Sequence, residues 1–174
     1  ILFVSTLEPR KNVEGVLRAF AAVAGEFPHQ LVLVGRPGWG MPPLDPLLEE
    51  LKIADRVRVL GYVEDRAHLP AFYAAADLFF FPSFYEGFGL PVLEAMACGV
   101  PVVCSHASSL PEVGGDAARY FDPTDVAAMA DAIMAVWRDE TLREDMRRRG
   151  LACAAQFSWE RAADETLAVY TATN

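Results

Sequence analysis

Two glutamates, Glu86 and Glu94, stand around a glycine-bearing turn with seven residues between them. The apolar run Phe79-Phe-Phe81 before the turn predicts a buried strand, and Pro91 after it favours the first position of a helix. The first N–H groups of a helix have no partner within the helix, and the helix dipole is positive at that end. Strand, turn and helix start therefore predict a site for an anion.

The position of Glu94 extends this prediction to a ligand that is only partly anionic. Glu94 lies about one turn into the helix, and helical side chains lean toward the N-terminus, so its carboxylate can reach a ligand at the helix start. N–H donors beside two carboxylates suit a molecule that is part phosphate and part polyol, such as a nucleotide sugar. Glu86 and Glu94 also admit two other interpretations, namely surface acids or the acid and base of a glycosidase, although a glycosidase has no need of the glycine turn.

Two cations form a second candidate group. Arg10 and Lys11 follow the first predicted strand and precede Asn12, which can cap a helix. A diphosphate leaving group gains negative charge as a glycosidic bond breaks, and cations beside a helix N-terminus stabilise that charge. The alternative is a solvated basic turn, which is the commoner environment of an Arg-Lys pair.

Other familiar sites lack essential residues. Gly35 to Gly40 has the glycine spacing of a phosphate-binding P-loop, but Met41 stands where that loop needs lysine. Gly87-Phe-Gly89 lacks the third glycine of the dinucleotide fingerprint. No Asp-x-Asp occurs in the sequence, so we predict a metal-independent site with no cofactor. Trp39, between two glycines, is expected to anchor its loop, and contact with a ligand is the less favoured alternative.

The composition is that of an ordinary globular domain, because 53% of the 174 residues are hydrophobic and 22% are charged. The net charge of −9 argues against a nucleic-acid partner, since phosphate backbones select basic surfaces. Cys98, Cys104 and Cys153 form no close pair, which favours reduced thiols and a cytoplasmic protein. No apolar run is long enough to span a bilayer.

Short apolar runs alternate with amphipathic stretches, which is the pattern of a parallel sheet flanked by helices in one α/β domain. Ligands of such sheets bind beyond the carboxyl ends of the strands, so the loops after the first four strands should meet in one crevice. From Thr124 onward we expect a nearly all-helical chain. The predicted strands are Ile1–Val4, Leu31–Val34, Val57–Leu60, Asp77–Phe81, Val100–Cys104 and Arg119–Phe121, and the predicted earlier helices run from Asn12 to Gly25, Leu44 to Ala54 and His68 to Ala76.

The glutamate block resembles a known family closely. Glu86 and Glu94 with their spacing are similar to the two-glutamate signature of retaining glycosyltransferases of family 4, which have two Rossmann-like domains in the GT-B architecture. The resemblance covers nearly the whole chain and is to the C-terminal, donor-binding half of such enzymes. The segments that carry it are Thr6-Leu-Glu-Pro-Arg-Lys-Asn12, Glu86-Gly-Phe-Gly-Leu-Pro91, Glu94-Ala-Met-Ala-Cys-Gly-Val-Pro-Val102, Ser109-Leu-Pro-Glu-Val-Gly-Gly-Asp116 and Phe157-Ser-Trp-Glu160.

This resemblance implies roles for the charged residues. Glu86 would contact hydroxyls of the donor sugar, and Glu94 would accept hydrogen bonds from the ribose hydroxyls. Lys11 and Arg10 would stabilise the diphosphate, which makes Glu86, Lys11 and Arg10 the predicted catalytic residues. Many family members have arginine where this chain has Thr6, so the second cation here would have to be Arg10.

The resemblance also implies a wider donor-binding surface. Backbone N–H groups of Phe88, Gly89 and Leu90 would hold sugar and phosphate. The base and phosphates of the family's donors pass near the turns that end the second and third strands, although Tyr62 fits core packing equally well. The remaining predicted donor-binding residues are Gly87, Gly35, Tyr62 and Val63.

Finally, the resemblance implies that this chain is part of a larger enzyme. The chain opens at Ile1, inside a predicted strand, so we expect a piece whose N-terminal Rossmann-like domain is absent. The final helix, near 158–172, would pack on that domain, and any membrane association would be peripheral and made through it. The isolated chain would be an inactive half.

The Thr6–Asn12 motif and the Trp39 loop look most like those of bacterial mannosyltransferases, so GDP-mannose is the expected donor. Two alternatives stay open. A nucleotide-sugar epimerase half would need further catalytic acids and histidines, and a non-catalytic nucleotide-sugar-binding module is disfavoured by the intact Lys11, Glu86 and Glu94.

Overall fold

Six parallel strands form the single sheet of the computed structural model, which describes residues 1–172. The strand order is β3-β2-β1-β4-β5-β6, so the chain builds the sheet outward from β1 and then returns to add β4 on the other side. Such a reversal opens a crevice at the carboxyl ends of the two central strands. The strands are β1 Leu2–Val4, β2 Leu31–Val34, β3 Val57–Gly61, β4 Phe79–Phe81, β5 Val102–Ser105 and β6 Ala118–Phe121.

Helices connect the strands and cover the sheet. Helix α1 packs against α6, while α4 packs against α3, α5 and α7. Right-handed crossovers put connections on opposite faces of the sheet when the strand order reverses, which explains these two groups. The helices are α1 Val13–Val23, α2 Asp45–Glu50, α3 Leu69–Ala74, α4 Leu90–Ala97, α5 Leu110–Gly114, α6 Val126–Arg138, α7 Glu140–Ala154 and α8 Trp159–Ala172.

The predicted α/β class and the six predicted strands are confirmed, with strand ends displaced by no more than two residues. The three residues of β4 are fully buried, as their apolar run predicts. The helix boundaries differ more. Helix α1 ends at Val23 rather than Gly25, and α3 runs from Leu69 to Ala74 rather than from His68 to Ala76. Helix α2 ends early because Lys52 adopts a left-handed conformation with φ 57°, and Pro91 occupies the second rather than the first position of α4. Helix α5, in the Ser109–Asp116 motif, was not predicted as a helix.

Helix α8 differs from the others because all its described residues are exposed, including Trp159 and Leu167. Its predicted packing on an absent domain stays a prediction. None of the helices within residues 1–172 combines the length and apolar character needed to cross a membrane.

Candidate functional site

The loops that follow β1 and β4 meet at the reversal point of the sheet. The N–H of Phe84 donates to the carbonyl of Arg10 at 2.9 Å, and the hydroxyl of Ser83 donates to the same carbonyl at 3.2 Å. These bonds join two loops that are far apart in sequence. They bring Lys11, from the loop after β1, beside Glu86, from the loop after β4.

Lys11 and Glu86 form a buried ion pair. The Lys11 Nζ lies 2.5 Å from Glu86 Oε1, and the two side chains are only 9% and 8% exposed. The ammonium also lies 5.4 Å from the centre of the Phe81 ring, close enough for a cation–π contact. A buried charge needs a partner, so the pair fixes both side chains at the crevice.

Arg10 is a second, more accessible cation at the same carboxylate. Its guanidinium lies 3.5 Å from Glu86 Oε2, donates to the Tyr85 carbonyl at 2.6 Å and pairs with Glu8 at 2.7 Å. The Arg10 side chain is 44% exposed. All three predicted catalytic residues are therefore in one cluster, with Lys11 buried and Arg10 at its solvent side.

Two serines that the sequence interpretation did not single out support the Glu86 turn. The Ser108 hydroxyl accepts from the Glu86 N–H at 2.8 Å, and the Ser109 hydroxyl donates to the carbonyls of Glu86 and Phe88 at 3.1 and 2.8 Å. An open groove of about 610 Å³ begins at this turn. Its lining residues are Tyr85, Glu86, Gly87, Phe88, Ser108, Ser109, Glu112, Val113 and Phe157.

The turn ends at the N-terminus of α4. Gly89 has φ 105°, which side-chain-bearing residues rarely adopt, and a Cβ there would lie 2.6 Å from Leu110 Cδ2. The backbone N–H groups of Phe88, Gly89 and Leu90 donate to no acceptor within residues 1–172. Three free donors at the positive end of a helix are the arrangement on which the anion site was predicted, and binding of an anion there stays a prediction.

Glu94 is held by a residue that the sequence interpretation missed. The hydroxyl of the buried Tyr73 donates to Glu94 Oε2 at 2.8 Å, and Arg66 lies 3.6 Å from Oε1. Burial, and next the negative charge of Glu94, raise the pKa of the Tyr73 phenol, which therefore stays a donor. A buried tyrosine hydroxyl needs a hydrogen-bond partner, and this requirement could have predicted the contact between Tyr73 and Glu94.

The other predicted donor-binding residues lie in the turns after β2 and β3. The Gly35 N–H donates to the Gly61 carbonyl at 2.8 Å, and a Cβ on Gly35 would lie 1.7 Å from the Ser5 carbonyl oxygen. Glycine is therefore required there by packing alone. Tyr62 is 61% exposed, which removes the core interpretation, and Val63 packs partly against the core.

The prediction that Trp39 anchors its loop is wrong, because its side chain is 92% exposed rather than packed against the core. The loop is held instead by its backbone, since the Gly38 N–H donates to the Leu7 carbonyl at 2.7 Å. Within residues 1–172 no cluster of three or more His, Cys, Asp or Glu side chains is arranged to hold a metal ion.

The geometry thus combines cations, free N–H donors and a polar carboxylate beyond the carboxyl ends of β1 and β4. The family model described as "Glycosyl transferases group 1" matches residues 1–152. The chain belongs to this family. As a group 1 glycosyltransferase domain it has the fold expected for the C-terminal domain of GT-B enzymes.

Among its relatives, O-antigen chain mannosyltransferase B of Escherichia coli is 48% identical over 171 residues. That match covers 97% of this chain and 45% of the relative, and other curated relatives, such as the serotype-specific mannosyltransferase WbdA of Escherichia coli, are covered to only 21% of their length. The chain therefore spans less than half the length of these relatives.

Two solved structures are similar in fold. Anabaena HepE, in complex with UDP and glucose, has a TM-score of 0.85 at 25% identity, and the match covers 99% of this chain and 48% of HepE. The C-terminal domain of the group 1 glycosyltransferase LpcC of Francisella tularensis has a TM-score of 0.80 at 22% identity, covering 89% of this chain and 84% of that domain.

Proposed function

We propose that this domain binds the nucleoside-diphosphate sugar of a retaining glycosyltransferase. Its reaction would transfer a hexose, namely mannose from GDP-mannose, to an acceptor carried by another domain. The observation that supports this most strongly is the Lys11–Glu86 pair, buried and 2.5 Å apart, next to the free N–H groups at the start of α4. Cation, carboxylate and donors are what a sugar diphosphate needs at its reacting end.

The roles of the charged groups follow from their surroundings. The ammonium of Lys11 has three N–H bonds, so it can keep Glu86 while it donates to a phosphate oxygen. Arg10, at the solvent side, adds a second cation for the departing diphosphate. Glu86 can accept from sugar hydroxyls with its remaining lone pairs, and its buried setting strengthens such bonds.

The proposal for mannose rests on the relatives. The curated relative with 48% identity is named a mannosyltransferase, and it is more similar to this chain than HepE, which was solved with UDP and glucose. The donor-binding surface here should therefore favour GDP-mannose over UDP-glucose.

The proposal also holds that this chain alone does not catalyse transfer of the sugar. The chain covers 45% of the mannosyltransferase relative, and the crevice lies where β1 and β4 are neighbours in the sheet. A facing domain would exclude water and hold the acceptor. The exposed helix α8 is the element that would pack against it.

Calorimetric titration of the 174-residue chain tests the donor assignment. GDP and GDP-mannose should bind, UDP-glucose should bind more weakly, and guanosine should show little heat. Glu86→Gln keeps the side-chain shape and an amide oxygen that can accept from Lys11, so it should still bind GDP but lose the extra affinity for GDP-mannose. Equal affinity for guanosine and GDP in the wild type would contradict the diphosphate site.

A transfer assay separates the enzyme from a non-catalytic binding module. The chain is supplied with radiolabelled GDP-mannose and a mixed glycan extract, alone and fused to the N-terminal half of the 48% identical relative. Transfer should require the fusion and disappear with Glu86→Gln in it. Donor binding without transfer in the fusion would favour the binding module, and rapid transfer by the chain alone would refute the half-enzyme proposal.

A further inference from the structure

The two carboxylate oxygens of Glu94 have different partners. Oε2 accepts from the Tyr73 hydroxyl at 2.8 Å, which is a good hydrogen bond. Oε1 faces the Arg66 guanidinium at 3.6 Å, which is an ion pair longer than a hydrogen bond. The side chain of Glu94 is 35% exposed, so a ligand can reach it from the crevice.

The two partners also differ in how firmly they are held. Tyr73 is 1% exposed, and its ring lies edge-on to Phe79 with centroids 5.4 Å apart. Phe79 belongs to the central strand β4 and is fully buried. The Arg66 side chain is 74% exposed, and a single exposed ion pair of this kind adds little. Within residues 1–172, one oxygen of Glu94 is therefore anchored to the core, and the other faces an exposed side chain alone.

We propose that Tyr73 is a positioning residue for ribose recognition. Its hydroxyl anchors Glu94 Oε2 so that Oε1 points to the two ribose hydroxyls of the nucleotide, and Arg66 gives way when the ribose arrives. This inference rests on the proposed function, because it assigns the part of the nucleotide that Glu94 binds. Tyr73 does not touch the ligand and acts through Glu94.

The loss of the hydroxyl has a definite consequence. Without it, Glu94 has Arg66 as its remaining partner, and the carboxylate is free to rotate toward the surface. The ribose hydroxyls would then lose a pre-oriented acceptor, while the diphosphate contacts at Lys11 stay intact. Preference for GDP over 2′-deoxy-GDP should fall about 3- to 10-fold, which is less than the full value of a hydrogen bond to a charged carboxylate, because the displaced carboxylate can still accept from the ribose part of the time.

The first experiment measures the affinities of GDP and 2′-deoxy-GDP for wild type, Tyr73→Phe, Glu94→Ala and the double variant. Tyr73→Phe should lower the preference for GDP, and it should have no further effect in the Glu94→Ala background. Tyr120→Phe is the matched control, because Tyr120 also donates its hydroxyl, to the Gly115 carbonyl at 2.9 Å, and should keep the wild-type preference. An unchanged preference in Tyr73→Phe overturns the proposal, as does an undiminished effect of Tyr73→Phe in Glu94→Ala.

A second pair of variants separates positioning from packing. Tyr73→4-aminophenylalanine keeps a donor, whereas Tyr73→4-methylphenylalanine fills the same space without one. Only the amino variant should retain the preference for GDP, and equal behaviour of the two would assign Tyr73 to packing alone.

A measurement without ligand tests the positioning of Glu94 by Tyr73 separately from the proposed nucleotide-binding function. Side-chain ¹³C relaxation of labelled glutamate reports the mobility of Glu94, which should rise in the 4-methyl variant and stay low in the amino variant. If the wild type binds no GDP, the proposed nucleotide-binding function is wrong. The difference in Glu94 mobility between the two variants then decides by itself whether Tyr73 positions Glu94.

Discussion

Breaking the Lys11–Glu86 pair should destabilise the domain and not merely weaken binding. Lys11→Met keeps the apolar stem but leaves the Glu86 carboxylate, 8% exposed, without its 2.5 Å partner. Removing one member of a buried pair typically costs about 3–5 kcal/mol. Arg10, 3.5 Å from the other oxygen, offsets part of this cost, so we expect a loss of about 3 kcal/mol.

The double variant Lys11→Met/Glu86→Met tests whether the loss of stability in Lys11→Met comes from the unpaired charge of Glu86. It removes both charges and fills similar space, and such replacements of buried pairs are often neutral or stabilising. Its free energy of unfolding should therefore lie within about 1 kcal/mol of the wild-type value. Both variants should fail to bind GDP tightly, because the ammonium is gone in each.

Urea unfolding at pH 7, followed by circular dichroism, measures the free energies, and a thermal scan should show Tm lowered by about 6–12 °C in the single variant. Lys52→Met, at an exposed lysine, is the control and should stay within about 0.5 kcal/mol of wild type. The reasoning is refuted if Lys11→Met is as stable as the control, or if the double variant is as unstable as the single one.

Two further predictions concern the turn and the metal independence of the site. Gly89→Ala should cost about 1–3 kcal/mol of stability and weaken GDP binding, because φ is 105° and a Cβ would lie 2.6 Å from Leu110; urea unfolding and calorimetry measure both effects. Gly25→Ala is its control, since a Cβ there would meet nothing within 4 Å, and equal losses in the two variants would contradict the argument. GDP affinity should be unchanged by EDTA, because Arg10, Lys11 and the start of α4 supply the positive charge; affinity restored only by added magnesium or manganese would show this assignment to be wrong.

Much of the fold could be predicted because its signals are local. The apolar run at β4 predicted a fully buried strand, and Asn12 does cap α1 by accepting from the Gly15 N–H at 3.2 Å. Proline and glycine predicted the limits of α4 to within a residue or two. Helix α5 was missed because five residues are too few to show a helical period.

The partners of the site residues were not predictable in the same way. Lys11 and Glu86 are 75 residues apart, and Tyr73 and Glu94 are 21 apart. No periodic pattern relates such residues, because their contact depends on β4 lying beside β1 rather than beside β3.

The sequence by itself determined the type of domain, the family resemblance, and the residues with suitable chemistry: two glutamates, an Arg-Lys pair and a glycine turn before a helix. Only the tertiary structure decided that Lys11 neutralises Glu86 in a buried pair, that Tyr73 holds Glu94, and that Trp39 is exposed. The physical reason is that residue type and backbone preference act over a few neighbouring residues, whereas burial and ion pairing depend on which strands become neighbours in the sheet.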